Sequence, residues 1–124
     1  MADFTERRDN RRIALGPGQT MRFRIGGRSF KEIRITNISG SGLYATVDRG
    51  EAGLFEKGAL LEDLVLDHPL LPNGHIRAQV VYLLGLDPAA PIMAFVGMGI
   101  HFIEMPKKTQ EDLNDFVAAG MGEA

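Results

Sequence analysis

Four arginines fall within six positions near the start of the chain, at Arg7, Arg8, Arg11 and Arg12, so the spacing Arg-x-x-x-Arg occurs twice, as Arg7/Arg11 and Arg8/Arg12. A guanidinium is a planar fork of donors that grips a phosphate through parallel hydrogen bonds, stacks on a base, and matches the O6/N7 edge of guanine. Further on, Asn37-Ile38-Ser39-Gly40-Ser41-Gly42 fits the pattern Asp/Asn-x-Ser-x-x-Gly. Asn37 and Ser39 are expected on one side of an extended chain, where both can hydrogen-bond a base edge or a phosphate oxygen. The glycines let backbone amides come close to a ligand. The same run also reads as an Asx-type turn that closes a hairpin. By chance, an Arg-x-x-x-Arg pair arises in roughly a third of chains this long and the second pattern in about one in twenty, so each informs mainly beside the other.

Catalysis finds little material. His68, His75 and His101 show no metal-ligand spacing and no recognised relation to a carboxylate, and they read as surface or turn residues. Glu62 and Asp63 are adjacent and, on a strand, face opposite ways, which denies them an acid/base partnership. Neither Gly40-Ser41-Gly42 nor Gly97-Met98-Gly99 is followed by the Lys-Ser/Thr of a Walker phosphate loop. Without a cysteine, disulfides, a cysteine zinc site and thiol chemistry are excluded. The expectation is a non-enzyme with no metal and no cofactor.

The elements that must position these groups follow from period-two alternation. Met21, Phe23 and Ile25 alternate with Arg22 and Arg24, then Ile33 and Ile35 with Arg34 and Thr36. Gly26-Gly27 is a hairpin turn between those strands, and the Asn37–Gly42 run turns into a third strand through Leu43, Ala45 and Val47. Residues 60–67 predict a fourth strand, 76–84 a fifth with Ile76, Ala78, Val80 and Tyr82 on one face, and 93–102 a sixth. Six short strands at this spacing close more naturally into an antiparallel barrel than into an open sheet with two apolar edges. Pro106 ends the last strand, Thr109 and Asp112 have capping-box spacing, and Leu113, Phe116 and Val117 share one helical face before Gly120, predicting a helix over 109–120. Hence the fold class is all-β with a C-terminal helix. Residues 1–15 form a flexible arginine-rich arm, and 16–124 a single barrel domain, for which 44% hydrophobic residues supply one core.

An arginine arm, a six-stranded barrel and this turn together resemble the PilZ domain family of bacterial receptors. Arg8 and Arg12 are best placed for its arginine pair, because Ile13 follows Arg12; Asn37, Ser39 and Gly42 match Asp/Asn-x-Ser-x-x-Gly; and Gly99-Ile100-His101-Phe102 is similar to the end of the last family strand. The resemblance runs from about Glu6 to the C-terminal helix. It implies cyclic di-GMP as the ligand, with Arg8 and Arg12 on phosphates and guanines, Asn37 and Ser39 on a guanine, Gly42 permitting the turn, and Arg7 and Arg11 as secondary contacts. The side chain that would cover a guanine from a later strand is open among Arg77, Gln79 and Tyr82.

Charge fits that expectation. The net charge is −2, yet residues 1–34 carry nine Lys/Arg against four Asp/Glu and the remainder five against twelve, so the basic part is expected to meet an anion. Fixing an arm costs about 1–2 kcal/mol per backbone residue, which charge-assisted contacts must exceed, and ordering near 6–15 would change the surface shown to a partner protein in trans. Two other readings remain: a PilZ-like adaptor acting through protein contacts without ligand, and a small nucleic-acid-binding barrel. The second is disfavoured by an acidic body, 7% aromatic residues and no tryptophan, so no DNA or RNA partner is expected. With neither a secretory signal nor a 20-residue apolar span, no membrane insertion is expected and the protein is placed in the cytoplasm.

Overall fold

The computed structural model describes residues 12–16, 18–48, 53–68, 75–84 and 95–120. Arg7, Arg8 and Arg11 of the expected site lie outside the described residues. Strands are β1 (Ile13–Ala14), β2 (Thr20–Ile25), β3 (Arg28–Ile38), β4 (Gly42–Asp48), β5 (Leu60–Asp67), β6 (Ile76–Leu84) and β7 (Phe95–Glu104), followed by helix α1 (Lys107–Gly120). All pairings are antiparallel. Running β3-β2-β5-β6-β7-β4 and pairing β4 back to β3, the sheet closes into a six-stranded barrel, which leaves no edge among those six strands. The seventh strand, β1, was not expected; it continues the line of β2 along the last residues of β3, pairing Ile13 with Ile38 and Ala14 with Asn37.

Alternation fills the barrel as the sequence pattern predicts, with Met21, Phe23, Ile33, Ile35, Leu43, Ala45 and Val47 all buried. At the hairpin end, where Gly26 supplies the left-handed φ of 60° that the Ile25–Arg28 turn needs, Phe23, Phe30 and Phe55 pack with ring centroids 5.0–6.0 Å apart. At the other end α1 lays Leu113 and Val117 into the same core, each stabilising by about 1.5–3 kcal/mol through burial. Phe116 is only half-buried and meets the His68 ring edge-on at 4.9 Å.

Departures from strict alternation come from β-bulges, which insert an unpaired residue and shift every side chain beyond it to the opposite face. Between Val80 and Tyr82 the β6–β7 register shifts, so Tyr82 does not follow Ile76, Ala78 and Val80 inward but stands outside, 40% exposed. A second bulge falls at Glu62–Asp63, where two β5 residues oppose Arg77 alone, so the two carboxylates do not alternate as expected. The helix also differs from expectation. It begins at Lys107, Gln110 N donates to Pro106 O at 3.0 Å, and Thr109 is buried at 3% exposure within the first turn, with no capping box formed with Asp112, which pairs with Lys108 instead. Among the described residues, no helix is long and apolar enough to cross a membrane.

Candidate functional site

The turn from β3 to β4 is built by Ser39. Its hydroxyl accepts hydrogen bonds from the amides of Ser41 and Gly42, both at 3.2 Å, and lies within donating distance of the Gly42 carbonyl at 3.2 Å and the Ser41 hydroxyl at 3.3 Å. Its backbone amide donates to the same Gly42 carbonyl at 2.8 Å. A hydroxyl has one proton and two lone pairs, so Ser39 is fully used inside the turn, and it is 0% exposed. The expected shared side with Asn37 therefore does not bring Ser39 to the surface. Gly42 serves packing: a Cβ there would collide with the Ile100 carbonyl oxygen on β7, and Gly42 is absent from the residues with left-handed φ. Two further braces hold the turn, Phe102 N donating to Ser41 O at 2.8 Å and Gln110 Nε2 donating to Gly40 O at 3.0 Å.

Asn37 is delivered to the outside by a bulge. Ile35 pairs with Ala45 and Asn37 with Tyr44, leaving Thr36 unpaired with its Oγ1 donating to Tyr44 O at 3.1 Å. Inward parity moves from Ile33 and Ile35 to Ile38, and Asn37 sits half-buried between. Its Oδ1 accepts from Arg12 Nη1 at 2.9 Å. The arginine group and the turn, 25 positions apart in sequence, thus meet through their one described arginine. The root of the arm is anchored by the Leu15 amide, which donates to Thr36 O at 2.9 Å, and Ile13 sits so close to Gly120 that a Cβ on Gly120 would press on the isoleucine side chain.

Of the three candidates for covering a base, Arg77 donates to Glu62 at 3.1 Å and Gln79 Nε2 to Gly58 O at 3.2 Å. Tyr82 lies over Gly99, Tyr44 lies over Gly97, and the two rings are 6.3 Å apart, so the outer surface of β7 is a glycine floor roofed by tyrosines. His101 is a neighbour that sequence reasoning set aside. Its Cα pairs with Gly42 on one side and Gln79 on the other, and it is exposed. Only register, which the Gly99–Phe102 motif does not reveal by itself, could have identified it.

A closed antiparallel barrel, capped by one helix and carrying an arginine strand root against a polar turn, defines the class. Comparison with solved structures gives the fold: it is that of the PilZ domain. The PilZ domain of YcgR from Escherichia coli, determined with c-di-GMP, superposes with a TM-score of 0.69 at 12% identity, over 91% of this chain and 90% of that one. The K. pneumonia MrkH–c-di-GMP complex gives 0.74 at 16% identity, and the Bacillus subtilis inhibitor of motility MotI/DgrA gives 0.67 at 15%. The chain covers 91% and 90% of itself in these two but spans only about half of theirs, 52% and 51%. No family model and no curated protein matches the sequence.

Proposed function

We propose that the protein is a cyclic di-GMP receptor that binds the dinucleotide at the β3–β4 turn and passes the bound state to a partner protein in trans. The observation that carries this reading is the Arg12–Asn37 hydrogen bond of 2.9 Å, which sets a guanidinium and an amide side by side on the outer surface. A guanine edge and a phosphate together need that pairing of a cationic fork with an amide offering both donors and an acceptor. Arg8, one Arg-x-x-x-Arg step before Arg12, completes the pair on the ligand, with Arg7 and Arg11 as secondary contacts. Asn37 reads the base. Ser39 and Gly42 belong to the binding set by fixing the turn that aims Asn37, and Tyr82 or His101 supplies the later-strand surface.

Binding draws residues 6–15 onto the turn. Because Ile13 rests on Gly120 and Gln110 holds Gly40, a change at either place is felt by α1, whose outward face is the surface a partner reads. The protein acts without chemistry of its own, in the cytoplasm.

Calorimetric titration of cyclic di-GMP tests this, with GTP and cyclic di-AMP as controls. Saturable heat with cyclic di-GMP alone is expected. Arg8→Ala, Arg12→Ala and Asn37→Ala should each weaken binding by about tenfold or more, the equivalent of ~1.4 kcal/mol. No heat from folded wild-type protein would overturn the receptor reading and leave a ligand-independent adaptor.

A further inference from the structure

The basic excess of residues 1–34 divides in two. Four of its nine cations are the arm arginines, but Arg22, Arg24, Arg28, Lys31 and Arg34 all lie exposed on β2 and β3, where the turn makes no use of them. There β2, the first half of β3 and β5 enclose an open cleft of about 280 Å³. Its floor is apolar, from the buried edges of Phe30 and Val65, and its rim is cationic. Lys31 has no carboxylate partner among the described residues, and Arg22 reaches Asp67 only at 3.9 Å with its side chain 60% exposed. Arg28 extends the rim, its guanidinium 5.7 Å from the centre of the Phe30 ring. Asp63, the one lining carboxylate among the described residues, is already taken by Arg24 and by His75.

The strands on either side of β2 carry strained backbone beside and within the cleft. Glu32 and Asp63, with φ of 59° and 51°, are the only described non-glycine residues in the left-handed region, and each sits at a bulge on a strand flanking β2. Bulges re-aim side chains and bend the strand that carries them, and left-handed non-glycine residues persist where the surrounding structure holds them and concentrate at functional surfaces.

We propose that this cleft docks an acidic segment of a partner protein, with one bulky apolar side chain on the Phe30–Val65 floor and flanking carboxylates on Arg22 and Lys31. A polypeptide is favoured over a nucleic acid by three features. The phenylalanine rings are buried at 2–7% exposure and offer no face for base stacking. Asp63 in the cleft, and Glu32 beside it with no partner among the described residues, interrupt any track for a phosphate backbone. The pairing of an apolar floor with a charged rim suits alternating side chains of an extended segment. Ser29 at the cleft and Asn37 at the turn are eight residues apart on one strand, about 26 Å at ~3.3 Å per residue, so dinucleotide and partner segment can be held together.

The test is selection of short random peptides on the immobilised wild-type protein without cyclic di-GMP, then titration of the most enriched peptide, labelled with fluorescein. Enriched sequences are expected to carry Asp or Glu around a single Leu, Ile or Phe. Arg22→Glu combined with Lys31→Glu should weaken the peptide by about tenfold or more, while Asn37→Ala leaves it unchanged, and added salt should weaken wild-type binding. Retained cyclic di-GMP binding or an unchanged melting temperature shows that the double variant is folded. An enriched set without acidic residues would overturn the proposal, as would peptide binding indifferent to the charge reversal. Displacement of the peptide by single-stranded or duplex oligonucleotide binding more tightly at physiological salt would assign the cleft to nucleic acid instead.

Discussion

The β3–β4 turn and the β2–β3–β5 cleft lie at opposite ends of β3 and are built on contrary principles. At the turn, a neutral serine is buried with its hydrogen-bonding capacity filled, and a glycine is required because a neighbouring carbonyl leaves no room for a Cβ. At the cleft, charges stay exposed and non-glycine residues accept backbone conformations that glycine would adopt without strain. The turn is a rigid mount whose fixed parts do not themselves face solvent; the cleft is a contoured surface whose working parts do. A motif residue can therefore be indispensable to a site without touching what the site binds.

Substitution can break this contrast where it is strongest. Gly42→Val drives a branched side chain into the Ile100 carbonyl oxygen, backbone that cannot swing away, and is expected to cost about 3 kcal/mol or more. Thermal melting should drop by many degrees, with ligand binding lost along with the fold. Next comes Ser39→Ala, which leaves the turn amides of Ser41 and Gly42 without their acceptor at a cost of about 1–3 kcal/mol. Set beside it, Asn37→Ala should leave the melting temperature nearly unchanged while weakening cyclic di-GMP. If Ser39→Ala instead weakened binding with no loss of stability, Ser39 would be a direct contact and the division of the turn into mount and contact would fail.

Beside the cleft the sign reverses. Glu32 is exposed, has no partner among the described residues, and sits at φ 59°, so Glu32→Gly removes left-handed strain worth about 1–2 kcal/mol and adds unfolded-state entropy worth roughly 0.5–1. A net stabilisation of up to about 1.5 kcal/mol is expected in chemical denaturation. A loss would show that the bulge, not the residue, is what holds this backbone.

What was legible in the sequence follows from the same physics. Alternation located residues 60–67 and 76–84 as strands with the bounds the structure gives, because burial of one face imposes period two directly. Bulges were not legible: nothing in Val80-Val81-Tyr82 marks where an extra residue is absorbed, so plain alternation puts Tyr82 on the face of Ile76, Ala78 and Val80, when it roofs Gly99 outside. The same gap concealed Thr36, whose bulge turns Asn37 outward. Thr109 and Asp112 have the spacing of a cap, but the helix starts earlier, at Lys107, with Gln110 N donating to the Pro106 carbonyl and Thr109 buried within the first turn. The Asn37–Gly42 run is a turn in the structure, but the juxtaposition of Arg12 with Asn37 is tertiary and could be anticipated only through resemblance.

The smallest expected effect concerns Asp63, the hinge of the cleft's charge pattern. Hydrogen bonding from Arg24, more than the added charge of Arg24 and the bond from His75, holds its carboxyl below the ordinary value of 3.8 against a partial opposing cost of desolvation. A carboxylate whose folded pKa is depressed contributes stability that is present above the unfolded value and is lost as pH falls through the folded one. Asp63→Asn should therefore melt slightly below wild type at neutral pH, and the gap should close as pH falls below 3.8. Because both partners are more than 40% exposed, added salt at neutral pH should narrow the gap too. A gap that is constant from neutral to acid pH would mean that Asp63 acts through its backbone conformation alone. The cleft would then owe its shape to the bulge, and the ion pair with Arg24 would be a consequence of that shape.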